Sequence, residues 1–181
     1  MIYNPGGMMN GILQELATEI REVNAANGWG LDFNPTEKRD EIPGYIALIH
    51  SEITEAWQEL KPAPAMREIG DVIVRCLDLG ELMRPGYWAD CSPEFAFNTN
   101  HIEESWATDL LHLHRLASHA LENYRKKEDY ADGLLNRLHV MVAHCWRIMR
   151  RYGDVTEPER IIREIIIKNR SRGYRHGGRR T

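Results

Sequence analysis

An all-α fold, an antiparallel helical bundle carrying an inserted helix pair, is predicted by three observations. Apolar residues recur at helical spacing along nearly the whole chain, no segment alternates as a strand between turns, and short connections marked by glycine and proline separate the amphipathic stretches. At 181 residues, the chain is long enough to bury a core of its own, and no linker divides it.

The elements follow in order. Ile12, Leu16, Ile20 and Val23 share one face of a first helix that stops near Asn27-Gly28. The stretch GWGLDFNPTEKRDEIPG is loop, and Pro43 opens a second helix in its first turn, running to about Leu60. KPAP ends it, and Pro64 starts a third helix bearing Ile69, Val72, Ile73, Cys76 and Leu79, broken at Arg84-Pro85-Gly86. A loop from Tyr87 to Asn98 leads to a capping box, Asn100 with Glu103, before a fourth helix marked by Trp106, Leu110, Leu113, Ala117 and Ala120. A fifth carries Leu135, Leu138, Val142, Cys145 and Met149 and ends at Gly153. Thr156 with Glu159, and Pro158 between them, opens a last helix through Ile161, Ile162, Ile165 and Ile166 that Gly173 ends.

Composition narrows the class. Hydrophobic residues make up 43% and charged residues 28%, ordinary for a globular domain, and no apolar run approaches a membrane span. The N-terminal MIYNPGGMMNG lacks the basic flank and apolar core of a secretory signal, so a cytoplasmic location is expected. Three widely spaced cysteines predict reduced thiols. Net charge is -4, yet KNRSRGYRHGGRR, residues 168–180, holds bases and no acids, with 177–181 read as a flexible tail.

The chemistry-bearing pattern lies in HSEITEAWQELKPAPAMREIGDVIVRCLD, residues 50–78. Glu52 and Glu55 border the apolar face of the second helix; Glu68 and Asp71 border that of the third. If the two helices pack as a hairpin, four carboxylates converge at the rim of a dry core and repel one another unless protons or cations intervene. Hard oxygen ligands on facing helices suit magnesium or manganese. The competing reading is a solvated flank in which these acids pair with Arg67, Arg75 or Lys61. Val74 and Leu77 weigh against it, because they make the third helix apolar nearly all round.

EITE, a short spacer and EIGD resemble the ExxE...ExxD signature of MazG-like all-α nucleoside triphosphate pyrophosphohydrolases. IALIHSEITEA, DVIVRCLDL and the terminal KNRSRGYRHGG are similar to phage-type members, in which a Lys-Asn-x-x-Arg element closes the last helix. The resemblance implies hydrolysis of an NTP or dNTP to the monophosphate and pyrophosphate. It also implies Mg2+, with Mn2+ as a substitute, on Glu52, Glu55, Glu68 and Asp71, with Glu52 and Glu55 as the catalytic candidates. Lys168, Asn169 and Arg172 carry over as phosphate or sugar contacts, and Trp29 as a surface on which a base can stack. Base preference leans to dGTP or GTP. A homo-oligomer, dimer or tetramer, is expected, because relatives usually complete the cleft with a second subunit; neither membrane nor nucleic acid is expected as a partner.

The chain departs from compact relatives over residues 87–152, where two extra helices intervene. LHLHRLASHALENY echoes IALIHSEITEAWQEL, aligning His114 with His50 and Ala120 with Ala56, and AHCWRI echoes VRCLDL through Cys145 and Cys76. On that alignment Leu116, His119, Arg137 and Val140 replace the acids. A degenerate repeat standing in for a subunit, and chance similarity of two amphipathic helices, both remain open. Two other functions stay in view: a non-catalytic helical nucleic-acid-binding protein, and a ferritin-like iron carboxylate protein, which wants Glu-x-x-His elements this motif lacks.

Overall fold

The computed structural model describes residues 11–94, 105–126, 129–153 and 158–174. Among them are six α-helices and no strand: α1 (Ile12–Ala26), α2 (Ile42–Gln58), α3 (Pro62–Met83), α4 (Trp106–Lys126), α5 (Ala131–Tyr152) and α6 (Pro158–Arg170). The all-α expectation is met, with small differences at the ends. α2 stops at Gln58 because Leu60 turns to φ 58°, and α3 starts at Pro62, earlier than Pro64, since Pro at a helix start forfeits no intrahelical bond. The capping boxes assigned to Asn100 with Glu103 and to Thr156 with Glu159 involve residues outside those described.

α3 is the hub. It packs against α1, α2, α5 and α6, while α4 covers α2 and α5. Its core face, Ile69, Val72, Ile73, Cys76, Leu77 and Leu79, has no exposed surface. The apolar stripes of α2 (Ile46, Ile49, Ile53, Ala56) and α4 (Leu110, Leu113, Ala117, Ala120) face the same interior. None of the described helices is long and apolar enough to cross a membrane. Cys76, Cys91 and Cys145 are all free and buried.

One buried element lies in a segment read as loop. Tyr87–Asp90 forms a 3-10 turn, and Trp88 within it is completely buried against α3. Gly80 makes room: a Cβ there would come within 2.5 Å of the indole ring. The indole N–H donates to the Leu77 carbonyl at 3.1 Å, so the ring enters the core without an orphaned donor. Trp88→Ala is expected to lower stability by about 3–5 kcal/mol, the usual cost of truncating a large buried aromatic. Urea unfolding followed by far-UV circular dichroism measures this; a loss below about 1 kcal/mol would show that Trp88 is not seated in the core.

Candidate metal centre

Spacing of three residues on an α-helix puts Glu52 beside Glu55 and Glu68 beside Asp71. The tight turn at residues 59–61 folds α3 back on α2, and both acidic borders face the same rim. One carboxylate oxygen from each of Glu52, Glu55 and Glu68 lies within 4.8 Å of the other two. Burial is graded across the trio: Glu52 is 8% exposed, Glu68 half-buried and Glu55 exposed, so the cluster has a closed floor and an open side. Asp71 is not one of the three. It lies half-buried next to them, close enough to feel the charges of Glu52 and Glu68.

The electrostatics are those of a site short of positive charge. Burial, then the neighbouring Glu52 and Glu68 charges, pushes the Asp71 carboxyl up to about 6, with Arg75 and Arg67 only partly opposing the shift. Burial, then Glu55 and Glu52, likewise raises Glu68 above the ordinary carboxylate range. Arg75, one turn beyond Asp71, places Nε and Nη2 each 3.0 Å from Glu52 Oε1. The ion pair envisaged in the solvated-flank reading is therefore present, but it serves Glu52 and leaves Glu68 and Asp71 with raised proton affinity. The donor set is all carboxylate oxygen, with no histidine or cysteine in the trio, which suits a hard divalent cation such as Mg2+ or Mn2+.

The other candidate residues surround α3 from a different side. Between Glu68 and Asp71 in sequence, Gly70 lets α6 approach: a Cβ there would meet Ile165 Cδ1 at 2.7 Å. Lys168 and Arg172, farther along this segment, are exposed and make no ion pair among the described residues. Asn169 is half-buried, and its carbonyl accepts a 2.9 Å bond from Asn27 Nδ2. The Tyr174 ring lies over Gly28, where a Cβ would come within 2.5 Å of it. The end of α6 and the Trp29 loop are thus brought together. No hydrogen bond or ion pair among the described residues joins Lys168, Asn169 or Arg172 to the carboxylates.

Trp29 is half-buried, and its carbonyl accepts from Arg21 Nη2 at 3.1 Å. The same guanidinium pairs with the buried Asp78 at 2.6 Å, tying the loop to α3. This clamp was missed in sequence. Its signal is visible afterwards: Asp78 is an acid inside the apolar run of α3 and needs a partner when buried. Arg39, in the loop before α2, donates to the Tyr124 carbonyl at 2.8 Å and lies over the Tyr124 and Tyr130 rings. His50 stacks on His114, with ring centroids 5.1 Å apart.

No protein-family model, curated protein or solved structure matches the chain. The geometry by itself defines a helical-hairpin carboxylate cluster able to hold a metal ion.

With metal chelated, Asp71 should make stability depend on pH. Its pKa rises from 3.8 to about 6 on folding, so the native state holds this proton where the unfolded chain has lost it. The contribution is full below the unfolded value and disappears as pH rises through 6. In EDTA at neutral pH, Asp71→Asn is expected to be more stable than wild type by on the order of 1–3 kcal/mol, the gap closing towards pH 4. Urea unfolding across that range tests it; a less stable variant at neutral pH would mean that the carboxylate is well satisfied as it stands.

Proposed function

We propose that the chain is a metal-dependent nucleotide pyrophosphohydrolase, cleaving a nucleoside or deoxynucleoside triphosphate between the α and β phosphates. The observation that carries this reading is the all-oxygen cluster of Glu52, Glu55 and Glu68 on facing helices, beside an Asp71 whose charge the fold leaves poorly neutralised. The ExxE...ExxD resemblance points to the same residues.

In this reading Glu52, Glu55, Glu68 and Asp71 hold Mg2+, which on binding neutralises phosphate charge and lowers the pKa of bound water. Arg75 keeps the Glu52 carboxylate oriented from the closed side. Glu55, the exposed member, is the group on the open side that can accept a proton from an attacking water. Lys168 and Arg172 have exposed cationic groups for the triphosphate, Arg172 being capable of a two-pronged grip, and the Asn169 side chain can reach sugar or phosphate. Trp29, on a loop anchored through Arg21 and Asp78, is assigned to the base, with a lean to dGTP or GTP.

Incubation with Mg2+ and each common NTP and dNTP, resolving nucleotide products and pyrophosphate, is the decisive measurement. Monophosphate with pyrophosphate is expected, fastest with a guanine nucleotide; diphosphate with orthophosphate as the main products would overturn the cleavage assigned. Glu68→Gln should lower kcat/KM by about 100-fold or more, roughly 2.7 kcal/mol of transition-state stabilisation, while circular dichroism stays helical.

Lys168→Ala and Arg172→Ala should each raise KM about tenfold with a smaller change in kcat, the pattern of lost substrate binding. Unchanged KM in both would remove the last helix from the site.

A further inference from the structure

We infer that α4–α5 is a degenerate copy of α2–α3, occupying the place of a second subunit, so that the chain is a monomer with one metal site of this kind. Residues 42–58 correspond to 106–122, and 62–83 to 131–152. The second correspondence makes α3 and α5 the same 22-residue length with coincident ends. Burial follows it closely. Ile49 and Leu113, Ile53 and Ala117, and Ala56 and Ala120 are all fully buried pairs.

The packing has the form of a two-fold axis. In an isologous pair, residues near the axis meet their own equivalents. His50 meets its counterpart His114, Nδ1 to Nδ1 at 2.8 Å with the rings stacked. Cys76 and its counterpart Cys145 are both fully buried, and burial first, then the neighbouring Cys76, raises the Cys145 thiol. At the level of helices, α2 packs on α4 and α3 on α5, each on its own equivalent. Two unrelated amphipathic hairpins have no reason to meet in register at both places.

At the twin of the acidic site the chemistry differs at all four positions and burial matches at three, half-buried Asp71 falling opposite buried Val140. Buried Glu52 corresponds to buried Leu116, exposed Glu55 to exposed His119, and half-buried Glu68 to half-buried Arg137. The positions persist and the ligands do not. α4 and α5 cover faces of α2 and α3 that a second chain would otherwise cover. Among the described residues the large exposed apolar side chains are Leu31, Trp57, Leu60, Leu111, Ile167 and Tyr174, of which Trp57 and Leu60 lie together at the α2–α3 turn.

Two measurements test this. Light scattering behind size exclusion should give the mass of one chain, 21.0 kDa, at micromolar concentration; a stable dimer would overturn the substitution of α4–α5 for a subunit. Restoring acids in the full chain with Leu116→Glu, His119→Glu, Arg137→Glu and Val140→Asp should double the Mn2+ bound per chain, counted by electron paramagnetic resonance. An unchanged count in a helical, cooperatively melting variant would overturn the repeat. If that variant does not fold, His119→Glu with Arg137→Glu, at exposed and half-buried positions, should add a weaker Mn2+ site, and no added binding again overturns it. The metal arm rests on the proposed function: a wild-type chain that binds no Mn2+ sinks that function and leaves the solution mass to decide the repeat.

Discussion

Negative charge carried on a buried helix constrains everything around α3. A carboxylate taken out of water must gain a cation, a donor or a proton, and α3 brings Glu68, Asp71, Asp78 and Glu81 into its packed surroundings. The fold answers each differently. Asp78 takes the Arg21 guanidinium at 2.6 Å. Glu81 accepts from Gln14 Nε2 at 3.1 Å and from the Gly86 backbone N–H at 2.9 Å, both ordinary donors. Among the described residues Glu68 and Asp71 have neither, and burial, then the neighbouring carboxylates, raises their proton affinities. The cluster's appetite for a cation is what remains after the internal cations have been assigned.

The same assignments position the neighbouring segments. Arg21 sits on Asp78 through one nitrogen and offers the other to the Trp29 carbonyl, which ties the loop to the helix. Asn27, the cap of α1, uses its side chain on the Asn169 carbonyl, so that the end of α6 is held to the start of that loop. Deleting the Asp78 charge would therefore loosen the Trp29 loop and leave a buried guanidinium, a larger effect than losing one surface ion pair. The link from charge burial to the Trp29 loop runs through one arginine.

Much of this was legible in the sequence, and the rest was hidden for identifiable reasons. Helix-period apolar spacing marked all six helices, since Ile69, Val72, Cys76 and Leu79 on α3 cannot share a face in any other conformation. Three-residue spacing placed the acids on borders, and the hairpin turn then brought three of them together, because local geometry largely fixes where adjacent helices meet. Trp88 was read as loop because its burial depends on Gly80, eight positions away on another element, and no local pattern announces that match. Helix spacing groups Asp71 with the other three, whereas its place beside the trio depends on side-chain placement that periodicity cannot specify. The clamp between Arg21 and Asp78 spans 57 residues, and long-range charge pairing leaves only half a signature, the unexplained acid, in either segment.

α3 and α5 make the same point from opposite sides of one interface. Both are 22 residues long and heavily buried, and they pack against each other. Yet α5 carries Arg137, Arg147, Arg150 and Arg151 against the single acid Asp132, whereas α3 is predominantly acidic. On the α4–α5 side the buried acid is Asp109, and it is answered within the chain: Arg147 at 3.5 Å, Arg151 at 3.9 Å and His144 at 3.3 Å. Arg147 and Arg151 of that half lie on its own carboxylate, and Arg150 pairs with Glu94. The α2–α3 half gathers more acid than its arginines offset. Between the two helical pairs the balance of internal charge differs, and the carboxylate cluster able to hold a metal ion lies on α2–α3.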